Sequence, residues 1–169
     1  MKSKNKRSDG EELIEEYLNA EDIHFKPEVK IENLKGDKFP YRKADFYLTQ
    51  YKVYVEFLGR WNVESNRKKY KEKMKIYKEN NIPCIYLYPD NLGILNFIFK
   101  KRLKKELKKH DMKWELIKIN WSLFQEKHGL GILFFIVLFF LIEDLILKII
   151  VGLLVIYAII IGLKSTFFK

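Results

Sequence analysis

The sequence predicts an α/β head over residues 1–115, a juxtamembrane linker over 116–128 and a two-helix membrane hairpin over 129–169. Three observations predict this. Charge is split unevenly: the first 128 residues carry 29 basic and 20 acidic side chains, net +9, whereas residues 129–169 hold only Glu143, Asp144, Lys148, Lys164 and Lys169. Within the head, helical and alternating hydrophobic periods follow one another in the order helix, strand, hairpin, helix, strand, helix. The tail consists of two apolar runs, Gly129–Ile142 and Leu145–Leu163, separated by a pair of carboxylates.

Taken in order, Glu11–Asn19 places Leu13, Ile14, Tyr17 and Leu18 on one helical stripe behind a Ser8-x-x-Glu11 capping box. His24–Leu34 alternates loosely and carries Pro27, as an edge strand can. Lys43–Thr49 and Lys52–Gly59 are β-rich and almost contiguous, which predicts a hairpin turning at Gln50-Tyr51. Glu64–Asn80 is a charged helix stopped by Asn80-Asn81-Ile82-Pro83. Cys84–Tyr88 is a short apolar strand, and Pro89-Asp90-Asn91 opens a helix from about Leu92 to beyond Lys109, with Leu92, Leu95, Phe99, Leu103 and Leu107 inward. This is enough chain for one core.

In the tail, a single helix over 129–163 would be about 52 Å long against a hydrocarbon core of about 30 Å. It would also leave Glu143, Asp144 and Lys148 near mid-bilayer, at about 2.5–3.5 kcal/mol each. Two helices joined by a polar turn at 143–148 avoid both costs. The first run spans only about 21 Å as a helix, so it must borrow Trp121–His128 or thin the bilayer. A buried core hairpin lacks enough protein to cover it, and a shallow hairpin confined to one leaflet is the main variant. Lys118, Lys127, Lys164 and Lys169 flank the outer ends, which puts the head and both ends on the cytoplasmic side. A short hairpin of this kind fits a homodimer. Met1–Arg7 is basic with no apolar run behind it, so no secretory signal is expected.

The single cysteine, Cys84, excludes a disulfide scaffold, and with His24, His110 and His128 scattered it excludes a zinc knuckle. Cys84 reads as an inert core thiol. Chemistry is concentrated in the hairpin. With Gln50-Tyr51 as the turn, facing residues have numbers that sum to 101, so Asp45 lies opposite Glu56. Like charges so placed repel at a β-carbon separation of roughly 4.5–5.5 Å. A divalent cation between them relieves the repulsion, and oxygen ligands with open water positions suit Mg²⁺ or Mn²⁺. Glu11, at the edge of its helical stripe, is a third acid within reach. Other readings stand beside this one: Glu11 as a capping residue, and Glu56 as the partner of a lysine or as an edge-strand guard.

Glu11 on a first helix, then Arg42-Lys43-Ala44-Asp45-Phe46, then Val55-Glu56-Phe57-Leu58-Gly59, resembles the PD-(D/E)xK nuclease superfamily, the restriction-endonuclease-like fold, over about residues 8–110. The resemblance implies a mixed sheet with flanking helices. It implies Asp45, Glu56 and the Phe57 carbonyl as metal ligands, with Glu11 assisting. It also implies a nucleic-acid substrate, DNA before RNA, contacted by Arg42, Lys43 and Arg60. The pattern wants a lysine where Leu58 stands; some branches supply it from the following helix, where Lys73 shares a face with Tyr70, Met74 and Tyr77. The plain alternative for Lys73 is a stem snorkelling over apolar surface. Arg42 could equally hold a phosphate or a helix-1 carboxylate.

The run Lys100-Lys101-Arg102-Leu103-Lys104-Lys105-Glu106-Leu107-Lys108-Lys109 admits three readings: a nucleic-acid track, a patch for anionic lipid, or the solvated face of an ordinary helix. The expected function is a membrane-anchored, metal-dependent nuclease. The alternative is a catalytically inactive basic module of the same fold that binds nucleic acid or anionic lipid.

Overall fold

The computed structural model describes residues 8–167; the basic Met1–Arg7 segment and the flanking Lys169 lie outside the described residues. The chain divides into two compact units, Met1–Glu115 and Leu116–Lys169.

The first unit is mixed α/β. Helix α1 (Asp9–Ala20) leads into β1 (Phe25–Glu32), β2 (Tyr41–Leu48) and β3 (Val53–Phe57). Then come α2 (Glu64–Glu79), β4 (Cys84–Leu87), a 3₁₀ segment at Pro89–Ile94 and α3 (Leu95–Lys109). The four strands lie in the order β1-β2-β3-β4; the first two pairings are antiparallel and β3–β4 is parallel. A parallel neighbour needs a crossover, and α2 provides it. The core holds Ile14 and Leu18 of α1, Phe46, Leu48, Val53 and Val55 of the hairpin, Ile85 and Leu87 of β4, and Phe99, Leu103 and Leu107 of α3.

Local sequence accounts for the element ends. Ser8 caps α1 in a complete capping box: its Oγ accepts from Glu11 N–H at 3.4 Å and Glu11 Oε2 accepts from Ser8 N–H at 3.0 Å. The buried stripe of α1 is narrower than expected, because Leu13 is 42% exposed while Ile14 and Leu18 are buried. The hairpin loop is longer than the expected two residues: β2 ends at Leu48 and β3 begins at Val53, leaving the four-residue loop Thr49–Lys52 with Lys52 at φ +55°. Removing one closing pair from each strand leaves the register unchanged, so the partners (Phe46↔Val55, Tyr47↔Tyr54, Leu48↔Val53) still sum to 101. Asn80, which ends α2, holds the backbone of Lys35 from both sides: Lys35 N–H donates to its Oδ1 at 2.7 Å and its Nδ2 donates to Lys35 O at 3.0 Å.

The outer edge of β4 is closed by Arg102, which donates to the Tyr86 carbonyl and to Asn91 Oδ1. A side chain bonded there occupies one of the edge carbonyls that another strand would need. The helix from α3 onward begins at Leu95 rather than Leu92, because Pro89–Ile94 winds as a 3₁₀ turn.

The second unit contains α4 (Lys113–Leu141) and α5 (Leu145–Phe167). Residues 116–128 are helical throughout, so the helix that carries the short apolar run begins well upstream of it. Both helices are long and apolar enough to cross a membrane, with mean hydropathy 1.5 and 2.8. Only 6% and 11% of their most apolar windows are buried, so they do not form a core within this chain. The break between them is tighter than 143–148: it covers Ile142–Asp144, Asp144 Oδ1 caps α5 by accepting from Leu147 N–H at 2.8 Å, and Lys148 lies inside α5. Gly162 admits the Phe124 and His128 rings; a β-carbon there would lie 2.7 Å from Phe124.

Candidate active site

The site forms where the β2–β3 ladder opens. Tyr54 and Leu58 N–H donate to β4, at Pro83 O (2.9 Å) and Leu87 O (2.7 Å). Strand alternation therefore turns the N–H and C=O of Phe57 toward β2. In the observed register the next backbone pair would be Ala44 with Phe57. Instead the Asp45 carboxylate accepts the Phe57 N–H at 2.6 Å, and pairing stops at Phe46↔Val55. The other side of β2 opens at the same place: the β1–β2 ladder runs through Pro27↔Phe46 and Val29↔Ala44 but skips Glu28 and Asp45, and Glu28 sits at φ +52°. Interrupted ladders of this kind re-aim a side chain beside a site.

Glu56 is 2% exposed. Lys73 of α2 reaches both of its oxygens at 2.6 Å and also donates to Lys43 O at 2.6 Å. Tyr77, one turn further along α2, donates its hydroxyl to Glu56 Oε1 at 3.0 Å. The apolar face of α2 thus carries Lys73 to the carboxylate, while Lys68, Lys71, Lys75 and Lys78 are exposed.

Burial pushes Glu56 up to about 7 despite the opposing Lys73 charge, with the Asp45 charge adding to the rise. Burial also pushes Asp45 up to about 6; the Phe57 N–H and Lys73 hold it down, and Glu11 pushes it up. Asp45 thus feels the charge of Glu11, and Glu56 that of Asp45. Glu11 performs its capping role as well.

Glu11 is brought there by a close approach that the sequence reading missed. The Phe57 ring lies against Gly10 and Gly59; a β-carbon at Gly10 would fall 2.2 Å from Phe57 Cε1, and one at Gly59 2.7 Å from it. Gly10 thus seats the first turn of α1 on the end of β3. The available signal was a glycine inside the Ser8-x-x-Glu11 capping box, ahead of the apolar stripe.

The remaining candidates are distributed differently. Leu58, at the position where the family pattern has lysine, is a core residue at 1% exposure. Arg42 faces neither helix 1 nor open solvent: it pairs with Asp37 at 2.5 Å and Glu72 at 3.2 Å, and its guanidinium holds Asp37 below the usual carboxylate range. Lys43 pairs with Glu28 at 2.6 Å. Arg60 is exposed directly after the site. In the basic run, Lys100 pairs with Glu21 at 2.9 Å and Lys109 with Glu106 at 3.2 Å, while Lys101, Lys105 and Lys108 are exposed; of the predicted inward stripe Leu95, Phe99, Leu103 and Leu107 are buried, and Leu92, in the 3₁₀ segment, is half-buried. Burial raises the Cys84 thiol well above its ordinary value, as suits an inert core residue.

Among the described residues, no three His, Cys, Asp or Glu side chains converge tightly enough to form a metal cluster. The groups in place that could hold a cation are the Asp45 and Glu56 carboxylates and the Phe57 carbonyl; Mg²⁺ commonly takes one or two carboxylates and keeps several waters. Comparison of the chain with protein-family profiles, curated proteins and solved structures finds no match.

Proposed function

We propose that the head is a metal-dependent nuclease of restriction-endonuclease-like fold, hydrolysing phosphodiester bonds of nucleic acid, DNA before RNA. We further propose that α4 and α5 anchor it to a membrane with the head on the cytoplasmic side, as the flanking lysines favour. The observation that carries the reading is the meeting of Asp45, Glu56 and Lys73 where the ladder opens. A buried acid, a partly buried acid and an ammonium gathered at one strand end are the arrangement a reactive site would use. The element order and strand directions agree with the superfamily resemblance.

Mg²⁺ or Mn²⁺, held by Asp45, Glu56 and the Phe57 carbonyl, would supply a water of lowered pKa and offset charge on the scissile phosphate. Asp45 fixes the end of β3 through the Phe57 N–H. Lys73, anchored by Glu56 and the Lys43 carbonyl, keeps its ammonium beside the acids, where it would orient the attacking water and stabilise the phosphorane-like charge. Tyr77 holds Glu56 in one rotamer, and Glu11 adds negative charge next to Asp45. The net charge of +10 draws the polyanion in without regard to sequence.

One observation favours the second reading, an inactive basic module that binds nucleic acid or anionic lipid: Lys73 takes both Glu56 oxygens, and Leu58 stands in the usual lysine position. Incubation of the full chain in detergent with oligonucleotides and Mg²⁺ separates the two. Cleavage lost in Glu56→Gln supports the nuclease. Salt-sensitive binding without cleavage supports the inactive module.

A further inference from the structure

Five residues beyond Glu56 stands an aromatic cluster that the acidic site does not use. Trp61 lies nearly parallel to Tyr70, at 18° with centroids 6.3 Å apart, and meets Tyr88 edge-on at 81° and 4.9 Å. The Arg60 N–H donates to the Tyr70 hydroxyl at 3.4 Å, and the Arg102 guanidinium lies over the Tyr88 ring at 5.4 Å. All three rings are only partly buried. Tyr88 and Arg102 continue into a surface cleft that Lys105 also lines. At the other end Tyr70 precedes Lys73 by one turn of α2, on the same face. The result is a track of ring faces, flanked by exposed Arg60 and Lys105, that starts beside the reactive groups and runs toward α3.

Rings serving only the core would be covered; these are held rigid against one another yet keep open surface, so stacking a further ring on them costs little ordering. Ring faces interleaved with cations are the means by which single-stranded nucleic acid is held, because successive bases along an unpaired strand can each offer a face. A blunt duplex offers such faces only at its two ends, so along its length it could use the cations but not the rings.

Resting on the nucleic-acid reading above, we infer that Trp61, Tyr70 and Tyr88 form a stacking platform for unpaired bases, so the substrate is a single strand or a duplex with a single-stranded extension.

The test uses the full chain in detergent with Ca²⁺ replacing Mg²⁺, a labelled strand of roughly 15 nucleotides and the blunt duplex of the same sequence. The strand should bind about 10-fold more tightly than the duplex. Trp61→Ala should weaken strand binding about 10-fold and duplex binding by less than about 2-fold, with Trp61→Phe keeping most of the affinity. The strand should also quench tryptophan emission in the wild type and not in Trp61→Phe, which retains Trp114 and Trp121; this decides the matter if Trp61→Ala melts early. Equal wild-type affinity for both forms, or parallel losses in Trp61→Ala, overturns the inference. Cleavage of blunt duplex with no Trp61 dependence leaves the nuclease and removes the platform. A strand preference that persists without any cleavage leaves the platform and removes the nuclease.

Discussion

The Asp45 carboxylate takes the Phe57 amide N–H at 2.6 Å, in the place where regular pairing would put the Ala44 carbonyl. That exchange opens the sheet and sets an acid, a strand end and the Phe57 carbonyl in one spot. Asp45→Asn keeps a hydrogen-bond acceptor, so its melting temperature should stay close to the wild type while cleavage falls by about 100-fold or more. Asp45→Ala leaves the Phe57 N–H without its partner and should cost about 1–3 kcal/mol in chemical denaturation. Equal stability losses in both variants would contradict the role given to this bond.

Stability and activity should depend on pH in opposite senses. Asp45 and Glu56 rise from ordinary values of 3.8 and 4.5 to about 6 and about 7 in the folded head. The folded state therefore holds more protons than the unfolded chain between those limits. The stabilisation is fully present below about 4 and is lost as pH rises through about 7. Metal-free protein should thus melt higher at pH 5.5 than at pH 8, and Asp45→Asn/Glu56→Gln should flatten the difference. Cleavage should rise over the same interval as the carboxylates ionise. A wild-type melt insensitive to pH from 5 to 8 would count against the buried pair.

Lys73 is the countercharge of an almost wholly buried acid. Lys73→Ala alone should destabilise the head at pH 8, where Glu56 is ionised and left without compensation, and by less at pH 5.5, where it is protonated. Adding Glu56→Gln should recover much of that loss but no cleavage. Denaturant melts of the two single variants and the double variant read this coupling; strict additivity would mean the pair is not an interacting unit.

Gly10→Ala should be destabilising although alanine favours helices, because the added methyl meets the Phe57 ring, itself only 9% exposed. A loss of about 1–3 kcal/mol is expected, with weakened cleavage as the Glu11 turn shifts. A stabilised Gly10→Ala would show that α1 does not rest on β3 in this way.

Deletion of residues 116–169 should release the head from liposomes in a flotation assay, whereas the full chain floats. Flotation unchanged by the deletion would shift the anchor to the exposed lysines of α3.

Much of the head was legible in local pattern. The element order follows from alternating periods, and the hairpin register survived a misjudged turn because a closing pair can be lost without changing it. The Lys73 contact was legible from its apolar neighbours Tyr70, Met74 and Tyr77. What could not be read was tertiary. The Asp37–Arg42–Glu72 cluster depends on where the β1–β2 loop meets α2, and the skipped pairing at Glu28 is a backbone irregularity with no compositional mark. The wedge of Phe57 between Gly10 and Gly59 joins residues from separate elements. In the tail, hydropathy found both apolar helices, but the length of the turn was set by an Asp144 cap that composition does not reveal.

The most direct test of the central claim is a Mn²⁺ titration of the full chain at pH 8, followed by electron paramagnetic resonance. Wild-type protein should bind one ion per chain at a site that Asp45→Asn removes and that excess Mg²⁺ displaces. Binding undiminished in Asp45→Asn, or no site competed by Mg²⁺, would contradict the assignment of Asp45 and Glu56 as a cation-holding pair.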